Sequence, residues 1–260
     1  MSSKGQFVWY ELMTRDPNAA TDFYSKVTGW VNLPWNSEEF EYTMLTRTGE
    51  PDSMVGGMMK MTEPEFPAEL PSHFMGYIGT DNADATADRV KELGGTVIHG
   101  PADIPNMGRF AILQDPQGGV FAIFQGADGK ETSSPQIGDF SWNELATTDY
   151  AAAFDFYSDL FGWEIDQDMD MGEGMMYRLF KPSGSDRTIG GIYNRGPEQP
   201  VTAWTYYVMV PDINTALDAV KENSGIVFSG PMEVPGGDLI AHCMDPEGTV
   251  FALQSSANAS

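Results

Sequence analysis

Residues 7–16 read Phe-Val-Trp-Tyr-Glu-Leu-Met-Thr-Arg-Asp, and residues 140–149 read Phe-Ser-Trp-Asn-Glu-Leu-Ala-Thr-Thr-Asp. Phe, Trp, Glu, Leu, Thr and Asp recur at a constant offset of 133. The match then runs without a gap: Ala19, Ala20, Asp22, Phe23, Tyr24, Ser25, Gly29 and Trp30 lie over Ala152, Ala153, Asp155, Phe156, Tyr157, Ser158, Gly162 and Trp163. Farther along the offset drifts to about 130, as small loop deletions produce. There Gly56-Gly57 meets Gly190-Gly191, and Asp115-Pro116-Gln117-Gly118 meets Asp245-Pro246-Glu247-Gly248. The chain is a tandem duplication. Its polar, Gly- and Ser-containing stretch at 126–138 reads as a linker, which predicts one domain over 1–125 and a second over 139–260.

Within each copy the opening segment alternates. Phe7, Trp9, Glu11 and Met13 fall on one strand face and Val8, Tyr10 and Leu12 on the other. Asp16-Pro17 supplies an N-cap and a proline at the first helical position, and Ala20, Phe23, Tyr24 and Val27 follow at helical spacing before Gly29. Strands are predicted near 30–33, over 39–48 and over 53–61. The pattern then restarts, with a strand over 73–80, a helix over 82–93 and short strands over 96–99, 109–113 and 120–125. Each half thus holds two βαβββ modules and the chain holds four, an α+β architecture.

Composition bounds the function. The 260 residues carry 14 basic and 38 acidic side chains, a formal net charge of −24, so phosphate backbones and anionic membranes are repelled and nucleic-acid binding is excluded. Apolar residues at 41% and aromatics at 12% suffice for a packed core, which places the acidity on the surface of a folded protein. The single cysteine, Cys243, cannot form an intrachain disulfide, and no apolar run follows Met1 as in a signal peptide, so a cytoplasmic protein is expected. The longest apolar stretch, around Trp204 to Val210, is too short to span a membrane. No phosphate-binding glycine loop, P-loop lysine or GxSxG elbow is present.

A strand, an Asp-led helix containing Phe-Tyr, then Gly-Trp, with Asp-Pro-x-Gly before the last strand, resembles the vicinal oxygen chelate superfamily. That superfamily contains glyoxalase I, the bleomycin-resistance proteins and the extradiol dioxygenases. The Trp-x-Glu-Leu opening is similar to a two-domain glyoxalase-like subgroup found in bacteria. The resemblance implies paired modules that curl their sheets into half-open barrels around a small-molecule cavity. It also implies metal-ligand positions, and these fall on Trp9 and Trp142, Met75 and Thr205, Ala122 and Ala252, and the Gly56-Gly57 and Gly190-Gly191 strands. None of these residue types is a usual ligand for Zn, Ni or Fe, so no metal and no cofactor are expected.

Glu11 and Glu144 lie two residues beyond the first of those positions and point to the same cavity. A buried carboxylate with raised pKa suits a general acid or base, whereas one with a hydrogen-bonded partner is structural. Trp9 and Trp142, with Phe7 and Phe140, offer an aromatic wall for a planar ligand, or else core. Tyr42 and Tyr177 recur at matching strand positions and supply a hydroxyl or packing. Methionines cluster at Met54, Met58, Met59 and Met61 and again at Met169, Met171, Met175 and Met176, suiting either a permissive pocket mouth, with Met58 facing the ligand, or core filling. His73 and His242 are unduplicated; His73 is a candidate acid/base group and His242 a candidate ligand contact. Cys243 alternates away from His242, which argues against a Cys–His pair. The expected function is binding of a small apolar or aromatic molecule. Either a metal-independent lyase or isomerase uses a cavity Glu, or a resistance-type protein sequesters the molecule. The chain is expected as a monomer or homodimer.

Overall fold

The computed structural model describes residues 3–36, 41–64, 66–126, 134–172 and 174–257. Residues 127–133 of the expected linker lie outside the described residues, as do residues 39–40 of the predicted third strand. The first repeat runs β1 (Phe7–Thr14), α1 (Pro17–Val27), β2 (Val31–Asn36), β3 (Glu41–Thr46) and β4 (Met54–Lys60), then β5 (His73–Gly79), α2 (Ala83–Glu92), β6 (Thr96–Ile104), β7 (Gly108–Gln114) and β8 (Val120–Gly126). The second repeats that order: β9 (Phe140–Thr147), α3 (Tyr150–Phe161), β10 (Trp163–Asp170), β11 (Met176–Pro182) and β12 (Gly190–Asn194), then β13 (Ala203–Met209), α4 (Ile213–Glu222), β14 (Ile226–Glu233), β15 (Leu239–Met244) and β16 (Val250–Ser255). These are the four predicted βαβββ modules.

The helix starts are encoded locally. Asp16, Asn82, Asp149 and Asp212 each cap a helix by accepting backbone N–H bonds from its first turn. In α1 the residues at helical spacing, Ala20, Phe23, Tyr24 and Val27, are the buried ones. In each module the first strand pairs in parallel with the last, so Glu11 stands opposite Gly57 and Glu144 opposite Gly191. The strand orders are β2-β3-β4-β1-β5-β8-β7-β6 and β10-β11-β12-β9-β13-β16-β15-β14, two open eight-stranded sheets. Among the described residues no helix is long and apolar enough to cross a membrane.

Compactness follows a different division. One unit comprises Met1–Val8, Met75–Ser133 and Trp142–Thr205; the other comprises Trp9–Phe74, Ser134–Ser141 and Tyr206–Ser260. Each unit therefore draws one module from each repeat. In the first unit, Tyr157 Oη donates to Asp115 Oδ2 at 2.9 Å, Trp204 Nε1 donates to Tyr157 Oη at 3.2 Å, and Gln117 accepts from Thr147 Oγ1 at 3.0 Å. In the second unit, Tyr24 Oη donates to Asp245 Oδ2 at 3.1 Å, and Glu247 accepts from Ser72 Oγ and the Asp16 N–H at 3.0 Å each and also from Thr14 Oγ1. The Asp-Pro-x-Gly motif thus acquires a physical role. Its Asp caps its own turn through Gln117 and Gly119, or Glu247 and Thr249, and receives the tyrosine of the other repeat's helix. Burial pushes both carboxyls above the ordinary aspartate value, and the turn N–H groups and the tyrosine oppose it.

Candidate functional site

Trp9 and Glu11 lie on β1, and Tyr42 reaches them from β3. Tyr42 stands across from Met59, and its ring leans over Gly57, where a methyl group would collide with the phenol. Trp9 Nε1 donates to Tyr42 Oη at 3.0 Å, and Tyr42 is hydrogen-bonded in turn to Glu11. Burial, reinforced by the Glu11 charge, holds the Tyr42 phenol well above its ordinary pKa and keeps it protonated.

The second repeat builds the same chain of bonds. Trp142 Nε1 donates to Tyr177 Oη at 2.9 Å, and Tyr177 donates to Glu144 Oε2 at 2.7 Å. The Tyr177 ring covers Gly191 as Tyr42 covers Gly57. Burial and then the Glu144 charge raise its pKa as well. Glu11 and Glu144 are 7% and 8% exposed, so an unpartnered carboxylate would be costly at either place; a tyrosine donor offsets that cost. Each Trp→Tyr→Glu series is polarised in one direction and ends on the carboxylate. It offers half-buried indole and phenol ring surface to a ligand and a short proton path between phenol and carboxylate.

The other predicted residues are placed differently. Alternation puts Phe7 in phase with Trp9, but Phe7 and Tyr10 are both buried with half-buried Val8 and Trp9 between them. Phe7 packs against Trp163 and Trp204, and Phe140 stacks on Tyr10 at 4.0 Å and borders Trp30 and Phe74. Both phenylalanines pack in aromatic cores and not in the Trp–Tyr–Glu clusters, the core alternative of the two readings. Met58 pairs with fully buried Leu12 and fills core; Met59, one residue on, shares the Tyr42 face. Met171 and Met175 are exposed. His73 Nδ1 donates to the Pro71 carbonyl at 2.8 Å, and burial lowers its pKa below the ordinary histidine value. His242 is bonded through Nε2 to Tyr207 Oη at 2.9 Å and through Nδ1 to Ser229 Oγ at 3.3 Å. Cys243 is buried beside it on the opposite strand face, its thiol pushed up to about 12 by desolvation.

Sequence reasoning overlooked Tyr193 and Gln199. The Tyr193 ring stacks on Tyr177 at 5.8 Å, and its oxygen accepts from Gln199 Nε2 at 2.7 Å. Its first-repeat counterpart is Met59, so a search for duplicated residues passes over it. At the family's metal positions the residues do not fit a metal. The Trp9 and Trp142 indole N–H groups are donors already committed to tyrosines, Ala122 and Ala252 bear no donor atom, and phenol rings occupy the space above Gly57 and Gly191. Among the described residues no group of three His, Cys, Asp or Glu side chains is placed to hold a metal ion.

Known proteins share this architecture. The glyoxylase-named CFP32 of Mycobacterium tuberculosis is 39% identical over 127 residues, covering 49% of this chain and 46% of that protein, so this match spans less than half of the relative. The anthracycline biosynthesis protein DnrV of Streptomyces peucetius is 28% identical over 96% of this chain and 92% of its own length. The Mn(II)-bound glyoxalase from Novosphingobium aromaticivorans superposes with a TM-score of 0.64 at 16% identity, over 98% of this chain and 83% of that one, a likeness of fold. The family model of the Glyoxalase/Bleomycin resistance protein/Dioxygenase superfamily matches residues 6–123 and 139–253. With four βαβββ modules in tandem and that match over both repeats, the chain belongs to this superfamily.

Proposed function

We propose that the protein binds a small planar, apolar or aromatic molecule against the Trp9–Tyr42 and Trp142–Tyr177 surfaces, without a metal, and sequesters or carries it. The observation that carries this reading is the repeated Trp→Tyr→Glu bonding, in which the polar groups satisfy one another and ring surface is left for contact. The kinship with DnrV supports it, since the anthracyclines in that protein's name are fused-ring aromatics. The one cysteine being a buried, unpaired thiol fits a reducing compartment such as the cytoplasm. Titrating the protein with fluorene, a rigid three-ring hydrocarbon, should quench or shift tryptophan fluorescence saturably, and Trp9→Leu with Trp142→Leu should abolish the signal. A hydrophilic sugar phosphate that perturbs the same tryptophans more strongly than fluorene would overturn the assignment.

A second reading rests on the 2.7 Å bond between Tyr177 and Glu144, across which a proton can pass. In it, Glu144 or Glu11 accepts a proton from carbon beside a carbonyl, as in a lyase or isomerase, with the tyrosine fixing the carboxylate. Glu144→Gln and Glu11→Gln separate the two readings. A general base loses roughly 10²–10⁴-fold in turnover with binding intact, whereas a positioning carboxylate loses stability and leaves any turnover per folded molecule unchanged.

A further inference from the structure

The two Trp–Tyr–Glu clusters share their bonds but not their surroundings. Around the first, Met59 stands across from Tyr42 and Met61 follows two residues on, its N–H bonded to the Thr14 carbonyl at 2.7 Å. Around the second, Tyr193 holds the place of Met59, and Arg195, its N–H bonded to the Thr147 carbonyl at 2.7 Å, holds the place of Met61. Two thioethers in one repeat thus correspond to two strong hydrogen-bond donors in the other.

Those donors are fixed and only partly used. Gln199 ties them together, its side-chain amide donating to Tyr193 Oη at 2.7 Å and its backbone carbonyl accepting from Arg195 Nη1 at 2.5 Å. The bond from Gln199 occupies a lone pair on Tyr193 and leaves the phenol proton to be donated. Burial and the nearby Glu144 charge push the Tyr193 pKa up to about 12, so that proton stays in place across the neutral range. Arg195 Nε is buried with no hydrogen-bond partner among the described residues. A buried guanidinium N–H left in that state calls for an acceptor. Glu144 and Glu198 place negative charge near Tyr193 and offset the Arg195 guanidinium, which favours a neutral carbonyl oxygen over a carboxylate as the acceptor.

We propose that the second cluster is specific for a planar molecule bearing a carbonyl oxygen, with Tyr193 O–H and Arg195 Nε–H as its donors, while the methionine-flanked first cluster takes the ring system without that requirement. The inference rests on the reading of the clusters as ring-binding surfaces and adds the chemistry that distinguishes them.

Fluorene and 9-fluorenone share one ring skeleton and differ at a single carbonyl, so they isolate this term. Isothermal titration of the full chain with each should show fluorenone binding about tenfold more tightly than fluorene at one site per chain, the combined worth of two modest buried hydrogen bonds. Tyr193→Phe and Arg195→Met, the latter copying the first repeat, should each lower that preference and together remove it, with circular dichroism and thermal melts showing that the variants fold. Equal affinity for the two probes in the wild type, or a preference that survives in the double variant, overturns the assignment while leaving ring binding intact. Failure of both probes to bind overturns ring binding and this inference together.

Discussion

At the scale of single residues, the glycines opposite the two glutamates decide what the clusters are. Gly57 and Gly191 lie directly beneath the Tyr42 and Tyr177 rings, and a side chain of any size there displaces a phenol that holds a buried carboxylate. Gly191→Ala is therefore expected to cost about 1–3 kcal/mol, through overpacking and through the loss of the donor to Glu144. A thermal melt of Gly191→Ala beside the wild type measures this. Equal melting temperatures would show that the ring is not held over the strand. The glycine pair was legible as a repeated feature; its reason was not, because Tyr177 reaches Glu144 from 33 residues away and composition carries no sign of that contact. Phe7 illustrates a choice between wall and core that alternation leaves open. Its phase with Trp9 was read from alternation, and the interruption at Val8–Trp9 turned it into core.

At the scale of elements, each helix reads clearly in its own sequence and its partner does not. The spacing in α1 marks Tyr24 as buried; nothing local marks Asp245 as the acceptor waiting 221 residues on. Periodicity reports which face is covered, and the covering partner is settled by tertiary packing. The Tyr24–Asp245 and Tyr157–Asp115 bonds carry a prediction with a sign. Because burial raises the folded-state pKa of each aspartate above its unfolded value, the folded form binds a proton more readily. That contribution to stability is present below the ordinary value of 3.8 and is lost as pH rises through the raised folded value. Tyr24→Phe removes a donor from a charged carboxylate at pH 7, at a cost of about 1–3 kcal/mol. Near pH 4 the carboxyl is protonating and the deficit should shrink. Melts of wild type and Tyr24→Phe at the two pH values test this, and an equal deficit at both would exclude Asp245 as the responsible group.

At the scale of the whole molecule, the tandem repeat was legible and the exchange of modules between repeats was not, since the two arrangements have identical local sequence. Each compact unit needs a module from both repeats. The first repeat expressed alone, residues 1–133, lacks Asp245 and Glu247, the acceptors for Tyr24, Ser72 and the Asp16 N–H, but carries their counterparts Asp115 and Gln117. It should therefore pair with a second copy of itself. Sedimentation should find a folded dimer whose dissociation and unfolding coincide, and a folded monomer with a cooperative melt would contradict the exchange. A symmetric pair of identical chains carries every substitution twice, so its two ring surfaces can never differ. Joining the copies in one polypeptide lifts that symmetry while keeping one partner module always at hand. Only then can methionine stand at 59 and 61 while tyrosine and arginine stand at 193 and 195, giving two unlike surfaces in fixed one-to-one ratio.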